Sequence, residues 1–138
     1  MQHRQAQIVS IADACLGGLR GRSALLIGPE EALWPYKKLL MEAGMKTVFQ
    51  EKDYSRVANL IPQVQLLMNL PARDELVRPL SAATIAVGCT GRHTPLLIFD
   101  LAMTPSVDEM AGLLPTVCLY TPSDLGHIFY LQSDAQIA

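Results

Sequence analysis

Apolar residues along this chain recur with two different periods, and stretches of the two kinds alternate from one end to the other. Short continuous apolar runs are typical of strands buried on both faces of a sheet, and they predict strands at 24–27, 47–50, 63–70, 96–101 and 117–120. Apolar residues spaced three to four apart predict helices at 8–19, from the loop after the first strand to about 43, and at 55–61, 73–83 and 106–114. This alternation predicts an α/β fold with a mainly parallel sheet and helices on both faces.

Some boundaries stay open from the sequence alone. Pro35 removes a backbone hydrogen bond beyond the first helical turn, so the second helix either starts late, near Leu33, or has a bent first turn. Residues 84–89 fit the end of a helix or a strand. Ser106 is expected to cap the helix at 106–114.

The first predicted strand is followed by a glycine turn and a helix, which is how a Rossmann-like dinucleotide-binding domain begins. Residues 23–34 read Ser-Ala-Leu-Leu-Ile-Gly-Pro-Glu-Glu-Ala-Leu-Trp, with the turn at Gly28. In a phosphate-binding loop, a second glycine lets the backbone approach the pyrophosphate and a third packs the helix against the strand. Glu30 and Leu33 stand at those two positions. The sequence therefore predicts a Rossmann-like, doubly wound sheet with an altered phosphate loop.

Composition and charge narrow the class of protein. With 138 residues, 50% of them hydrophobic and 17% charged, the chain suits one packed domain over 1–138. Within it we expect a leading helix and turn at 1–22, a core at 23–125 and a C-terminal tail at 126–138. A net charge of −2 gives no reason to expect nucleic-acid binding, and no apolar run approaches the ~18 residues of a membrane span. A polar stretch follows Met1, so no secretory signal is expected and the predicted location is cytoplasmic.

The three cysteines, Cys15, Cys89 and Cys118, are widely spaced and odd in number, so we expect reduced thiols. Cys15 and Cys118 fall on apolar faces and are interpreted as core residues. Cys89 with His93 allows a nucleophile interpretation, but a buried cysteine beside a surface histidine is the favoured one. The histidines show no metal-ligand spacing, so no metal site is predicted.

Three segments carry a resemblance to a known family. Residues 27–31 read Ile-Gly-Pro-Glu-Glu, residues 97–108 read Leu-Ile-Phe-Asp-Leu-Ala-Met-Thr-Pro-Ser-Val-Asp, and residues 119–125 read Leu-Tyr-Thr-Pro-Ser-Asp-Leu. At these places glutamyl-tRNA reductases have Gly-x-Gly-Glu-Met, Asp-hydrophobic-Ala-Val-Pro-Arg-Asp-Ile-Asp and Leu-Tyr-x-x-Asp-Asp-Leu. Over nearly its whole length, the chain resembles the central NADPH-binding domain of that family. The segment between 60 and 64 is shorter than in the family, which implies that one strand–helix unit is trimmed.

The resemblance implies a cofactor site for NADP in the first loop, at Gly28, Pro29, Glu30, Glu31, Ala32 and Leu33. Glu51 follows at about the 20-residue spacing at which an acid meets the ribose hydroxyls, which favours NAD, whereas Lys52 favours the 2′-phosphate of NADP. Asn69 ends the third predicted strand, where the cofactor-side loops of such sheets lie. A solvated turn is the favoured explanation of Glu51 and Lys52, and a cap of the next segment explains Asn69 equally well.

Several differences from the family argue against retained catalysis and cofactor binding. The sequence shows no counterpart of the family's catalytic domain, whose cysteine forms a thioester with glutamate, or of its C-terminal dimerisation spine. We therefore expect no catalytic residues, a protein partner that supplies the missing domains, and room for a different homo-oligomer. Glu30 brings a side chain and a carboxylate to the place where a pyrophosphate would approach, so NADP binding is expected to be weak or lost.

Two hypotheses for the function follow. In the first, the chain is a glutamyl-tRNA reductase-like NAD(P)-binding domain associated with tetrapyrrole (porphyrin) biosynthesis and not catalytic on its own. In the second, it is a degenerate Rossmann module that no longer binds nucleotide and acts as a protein-interaction or regulatory subunit. Nucleotide titration separates the two.

Overall fold

A computed structural model describes residues 2–72 and 78–137 of the protein, without the side chains of residues 2–3 and 132–137. The helices in this part of the chain are α1 (Gln2–Leu16), α2 (Glu30–Glu42), α3 (Val57–Leu60), α4 (Ala82–Gly88) and α5 (Pro122–Ile137). The strands are β1 (Ser23–Ile27), β2 (Thr47–Glu51), β3 (Leu66–Asn69), β4 (Leu96–Asp100) and β5 (Val117–Tyr120). Two short 3₁₀ helices span Ile61–Gln63 and Glu109–Leu113.

The five strands form one sheet in the order β2-β1-β3-β4-β5, and every neighbouring pair is parallel. The register places Ile27, at the carboxyl end of β1, opposite Glu51 on one side and Asn69 on the other. The Rossmann-like, doubly wound α/β fold predicted from the sequence is confirmed. This order is that of a six-stranded 3-2-1-4-5-6 sheet from which the edge strand 3 is missing. The missing strand agrees with one trimmed strand–helix unit.

Helices cover both faces of the sheet. Helices α1 and α2 pack on one face, and α3, α4 and the second 3₁₀ helix pack on the other. Leu25 and Leu26 are neighbours in β1, yet both are fully buried because successive side chains point to opposite faces. Burying each such side chain contributes about 1.5–3 kcal/mol, which explains why the central strands read as unbroken apolar runs.

The first helix begins earlier than the sequence predicted, and the start of the second decides between the two alternatives left open for it. Helix α1 starts within the polar segment before residue 8 and ends at Leu16. Helix α2 starts at Glu30 with Pro29 as its N-cap, and Pro35 lies inside it. A late start near Leu33 is therefore wrong. The helix tolerates Pro35 because its buried face carries the packing against the sheet.

The helix predicted at 106–114 is wrong, since only a 3₁₀ helix forms there. Its cap is Asp108, whose side chain accepts a hydrogen bond from the Met110 N–H at 3.0 Å. Ser106 does not cap, because its hydroxyl donates to Asp100 Oδ1 at 2.6 Å. A tertiary hydrogen bond has replaced the local cap that the sequence suggested.

Helix α4 settles the open assignment of residues 84–89, which are helical to Gly88. Ser81 caps this helix by accepting a hydrogen bond from the Thr84 N–H at 3.1 Å. Of the helix predicted at 73–83, residues 73–77 lie outside the described part of the chain. Helix α4 begins only after the cap, so among the described residues of that prediction only 82–83 are helical.

Residues 126–137 of the predicted C-terminal tail are helical, and the predicted boundary at 126 falls inside α5. Thr121 and Asp124 cap this helix reciprocally: the Asp124 N–H donates to the Thr121 hydroxyl and the Thr121 N–H donates to the Asp124 carboxylate. Within the described residues, no helix is both long enough and apolar enough to cross a membrane.

Candidate functional site

An open cleft with a volume of about 400 Å³ lies at the carboxyl ends of β1 and β2, beside the loop that follows β3. This volume is within the range of small-ligand sites. The cleft is at the position where a doubly wound sheet binds its ligands, between the central strands whose connections leave to opposite faces. Its described lining consists of Ile27, Gly28, Pro29, Glu30, Glu31, Lys52, Asp53, Tyr54, Pro71 and Ala72.

Gly28 makes the turn from β1 into the cleft, and its environment admits no side chain. Its φ is +148°, and an added Cβ would lie 2.1 Å from the carbonyl oxygen of Leu70. The Gly28 N–H donates to the Glu51 carbonyl at 2.9 Å, and the Leu70 N–H donates to the Ile27 carbonyl at 2.8 Å. The fold itself therefore requires glycine here, whether or not a ligand binds.

The first turn of α2 faces the cleft. Its N-cap, Pro29, has no side-chain hydrogen bond to offer, so the first N–H groups of the helix depend on other partners. Glu30 and Glu31 occupy this turn with exposed side chains, and carboxylates there interact favourably with the positive end of the helix dipole. The helix end that would attract a phosphate already has two negative charges beside it.

Acidic groups outnumber basic groups along the described lining. Asp53 adds a third carboxylate, and its pKa is held below the ordinary value because Ser55 donates to it from both its hydroxyl and its N–H. Lys52 is the only basic side chain among the described residues of the lining. The one ion pair in the described part of the chain joins Arg56 to Glu51 at 3.4 Å. Among the described residues, no basic side chain therefore forms an ion pair with the carboxylates of Glu30 and Glu31.

A buried hydrogen-bond chain runs from the cleft to the end of β4. Asn69 Nδ2 donates to the Tyr54 hydroxyl and to the Ser106 hydroxyl, each at 2.9 Å. The Ser106 hydroxyl donates to Asp100 Oδ1 at 2.6 Å. Asn69 and Asp100 are buried, so these hydrogen bonds are shielded from competing water. The chain fixes Tyr54 at the wall of the cleft.

Only some of the residues predicted to hold the cofactor line the cleft. Those on the lining of the cleft are Gly28, Pro29, Glu30, Glu31 and Lys52. Leu33 is 1% exposed and packs in the core, and Ala32 is not on the lining either. Glu51 directs its carboxylate to Arg56. Asn69 lies behind the cleft wall, where its amide donates to the Tyr54 hydroxyl.

Half of the described lining was missed by the sequence analysis. Ile27 and Asp53 are adjacent in sequence to predicted residues, so a prediction that included one more residue of each segment would have contained them. Pro71 and Ala72 follow β3, and the expectation that carboxyl ends of neighbouring parallel strands meet could have found them. Tyr54 carried no signal beyond its place in the loop after β2.

Cys15 and Cys118 are exposed, so their prediction as core residues was wrong. The periodicity placed them on apolar faces, but β5 is an edge strand with no fully buried residue. Cys15 Sγ lies 3.3 Å from the Tyr120 hydroxyl oxygen. Burial raises the pKa of the Cys118 thiol, with smaller contributions from the neighbouring Cys15 and Asp124.

We expect Cys15→Ala to lower the pKa of Tyr120, which is raised from 10.0 to about 12. The hydrogen bond with Cys15 is the largest cause of the raised pKa, followed by burial and by the neighbouring ionisable groups. Because the folded pKa is the higher one, this stabilising contribution is complete below pH 10 and is lost as the pH rises towards 12. Ultraviolet difference titration measures the midpoint. Cys89→Ala is the control and should leave it unchanged; an unchanged midpoint in the Cys15 variant would contradict the assignment.

The loop with Cys89 and His93 is held by Arg92. Its guanidinium donates to the Ile61 carbonyl at 2.9 Å and to the Val64 carbonyl at 2.6 Å. His93 is exposed, as favoured from the sequence, whereas Cys89 is only half-buried, and no hydrogen bond joins these two residues. Among the described residues, no group of three or more His, Cys, Asp or Glu could hold a metal ion.

The chain is similar in sequence to curated glutamyl-tRNA reductases. The protein from Alkalilimnicola ehrlichii is 28% identical over 137 residues, which cover 87% of this chain and 31% of that protein. The protein from Pseudomonas fluorescens is 26% identical, with coverage of 87% and 32%. The chain thus spans about a third of the length of these relatives. No family model matches the chain.

The fold is similar to that of a solved glutamyl-tRNA reductase. The structure from Methanopyrus kandleri matches with a TM-score of 0.73 and 18% identity, over 91% of this chain and 35% of that chain. At this identity the match shows the fold alone. Together with the sequence similarity, it confirms that the chain resembles part of the glutamyl-tRNA reductases.

Proposed function

We propose that this protein is a non-catalytic, glutamyl-tRNA reductase-like module of tetrapyrrole biosynthesis whose cleft has lost its affinity for the pyrophosphate of NADP. The observation that carries the proposal is the carboxylate of Glu30, added beside that of Glu31 in the first turn of α2. In this role the module acts in the cytoplasm through a protein partner. The groups that carry out reduction lie outside the domain.

Repulsion between the Glu30 carboxylate and a pyrophosphate at this helix end is large enough to weaken binding. A pyrophosphate binds a helix N-terminus through free N–H groups and the positive end of the dipole. Two like charges ~4 Å apart repel each other by roughly 1 kcal/mol in water and about 4 kcal/mol at a surface-like dielectric constant. Repulsion in that range weakens binding by about fivefold to several hundredfold. Glu30 adds a steric term, because its side chain stands where a second glycine would let the backbone approach.

Retained NADP binding is the second candidate, and Lys52 favours it. The Lys52 side chain lines the cleft in the loop after β2, where the adenosine end of a dinucleotide lies in sheets of this kind. Gly28 keeps the backbone turn that such a ligand needs. In this case the domain presents NADPH to catalytic groups of a partner.

Calorimetric titration with NADPH tests the proposal. For the unmodified protein we expect no saturable heat below about 1 mM, which corresponds to binding weaker than ~4 kcal/mol. NADH serves as the second titrant, because a contribution from Lys52 would favour the phosphorylated cofactor. Saturation at micromolar NADPH would overturn the proposal and establish the second candidate.

The interaction role is tested separately, by purifying the protein from its own cells at native abundance and measuring its mass in solution. A stable complex with a second protein is expected. Recovery of the chain only as a free monomer would argue against this role.

A further inference from the structure

We propose that Tyr54 is the specificity-determining residue of the cleft, and that the cleft takes an uncharged nucleoside. This inference rests on the proposed function, because it treats the cleft as closed to pyrophosphate but open to a smaller neutral ligand. The hydrogen-bond chain from Asp100 to Tyr54 carries it, since that chain leaves the Tyr54 hydroxyl with the role of a donor.

The buried end of the hydrogen-bond chain, at Asp100, determines which group donates and which accepts in each of its hydrogen bonds. Asp100 is 1% exposed, and its carboxylate accepts hydrogen bonds from the N–H groups of Ser106 at 2.7 Å and Val107 at 2.9 Å. It also accepts one from the Ala102 N–H at 3.2 Å. A carboxylate that collects backbone donors accepts and does not donate. The Ser106 hydroxyl, 2.6 Å from Asp100 Oδ1, is therefore the donor in that pair.

The orientation of the Asn69 amide follows from this. The single hydrogen of the Ser106 hydroxyl is used on Asp100, so the Asn69 atom 2.9 Å from that hydroxyl must be the donor Nδ2. Rotating the amide would bring Oδ1 against the Ser106 oxygen, one acceptor against another. Asn69 Oδ1 is buried without a partner among the described residues, so the hydrogen bonds of Nδ2 hold this orientation although they leave a buried acceptor unpaired.

Tyr54 completes the chain. Its oxygen accepts from Asn69 Nδ2 at 2.9 Å, so its own hydrogen remains for another acceptor. Burial raises the pKa of Tyr54, the hydrogen bond from Asn69 lowers it, and the nearby Asp100 raises it further, with a net rise. The hydroxyl therefore keeps its hydrogen at neutral pH. A half-buried ring with a fixed donor stands at the wall of the cleft.

The remaining lining indicates the class of ligand. An apolar wall suits a flat ring, and it is formed by Ile27, Pro29, Pro71 and Ala72. The carboxylates of Glu30 and Glu31 can accept hydrogen bonds from ribose hydroxyls, as the acid of a dinucleotide site does, but they repel phosphate. A nucleoside supplies the ring, the hydroxyl donors and an acceptor for Tyr54.

Binding of adenosine, AMP and NADPH to the unmodified protein, followed by ligand-observed NMR, tests the ligand class. We expect adenosine to bind measurably, AMP to bind more weakly, and NADPH to show no saturation. Adenosine that binds no more tightly than AMP would overturn the nucleoside assignment.

Substitutions test the role of Tyr54. Tyr54→Phe is expected to weaken adenosine binding about two- to tenfold, the effect of one neutral hydrogen bond. Tyr130→Phe, at an exposed position of α5, is the matched control and should change nothing. Asn69→Asp replaces the donor by an acceptor that takes the Tyr54 hydrogen, so it should cause the same loss, and the double variant should lose no more. Ser106→Ala, which frees the Asn69 amide to rotate, gives a second route to that loss if Asn69→Asp does not fold.

The outcomes separate this inference from the proposed function. A protein that binds neither adenosine nor NADPH leaves the proposed function standing and overturns the inference. Unchanged adenosine binding in a folded Tyr54→Phe variant also overturns the inference and leaves the proposed function standing. Micromolar binding of NADPH overturns the proposed function and the nucleoside assignment together.

Discussion

Gly28→Ala is expected to lower the free energy of unfolding by about 4 kcal/mol or more, a large share of the total stability of a small domain. The new methyl group would lie 2.1 Å from the Leu70 carbonyl oxygen and 3.0 Å from its carbon, so the backbone after β3 would have to move. That backbone is tied to Ile27 by a hydrogen bond of 2.8 Å. The φ of +148° adds strain of about 1–3 kcal/mol for a residue with a side chain.

Two other glycines separate the causes. Gly91 has a φ of +73° and no atom within 4 Å of an added Cβ, so Gly91→Ala measures the conformational cost alone. Gly126 lies in α5 with open space around it, and Gly126→Ala should be neutral or stabilising by up to about 1 kcal/mol. Urea unfolding followed by circular dichroism compares the variants. If Gly28→Ala were no less stable than Gly91→Ala, the contact with Leu70 would not be what requires glycine.

The sheet could be predicted because its central strands are buried on both faces. Every residue of β1 and β4 is buried, so their sequences are continuous apolar runs that no surface element would carry. Strand β5 was predicted at its observed bounds, although it lies at the sheet edge. Strand β3 is shorter than the predicted 63–70, because Gln63 belongs to the 3₁₀ helix Ile61–Gln63 and the strand itself spans only Leu66–Asn69.

Local patterns failed where a distant contact decided the structure. Ser106 has the chemistry of a helix cap, but Asp100 takes its hydroxyl and the segment does not form an α-helix. Cys15 and Cys118 have apolar spacing, but periodicity does not tell whether a face at the edge of the sheet is covered. Such contacts depend on the assembled fold, which a short sequence window does not contain.

The same limit applies to the candidate site. The glycine turn and the acidic start of α2 are contiguous in sequence, so Gly28, Glu30 and Glu31 could be predicted as a group. Tyr54 gains its role from Asn69, 15 residues away, and Asn69 is fixed by Ser106, a further 37 residues along the chain. No motif spacing encodes that chain of hydrogen bonds.

Glu30→Gly is expected to strengthen NADPH binding about tenfold or more, into the range that calorimetry detects. The change removes one carboxylate from the cleft and opens the backbone of the first turn of α2 to a pyrophosphate. Glu30→Gln removes the charge but keeps the bulk, so it should give a smaller gain, and the difference between the two variants measures the steric part. Glycine at this position costs the helix at most about 1 kcal/mol, so the variant should fold.

Glu42→Gln is the matched control, because it makes the same charge change at the opposite end of the same helix. It should leave NADPH binding as in the unmodified protein. Glu31→Gln should give a smaller gain than Glu30→Gln, since the glutamyl-tRNA reductase motif itself carries glutamate at that position. If Glu30→Gly folded with α2 intact and bound NADPH no better than the unmodified protein, the carboxylates would not be what closes the cleft to the cofactor. The charge argument for a lost pyrophosphate site would then fail, and the lining contributed by the loops after β2 and β3 would have to explain it.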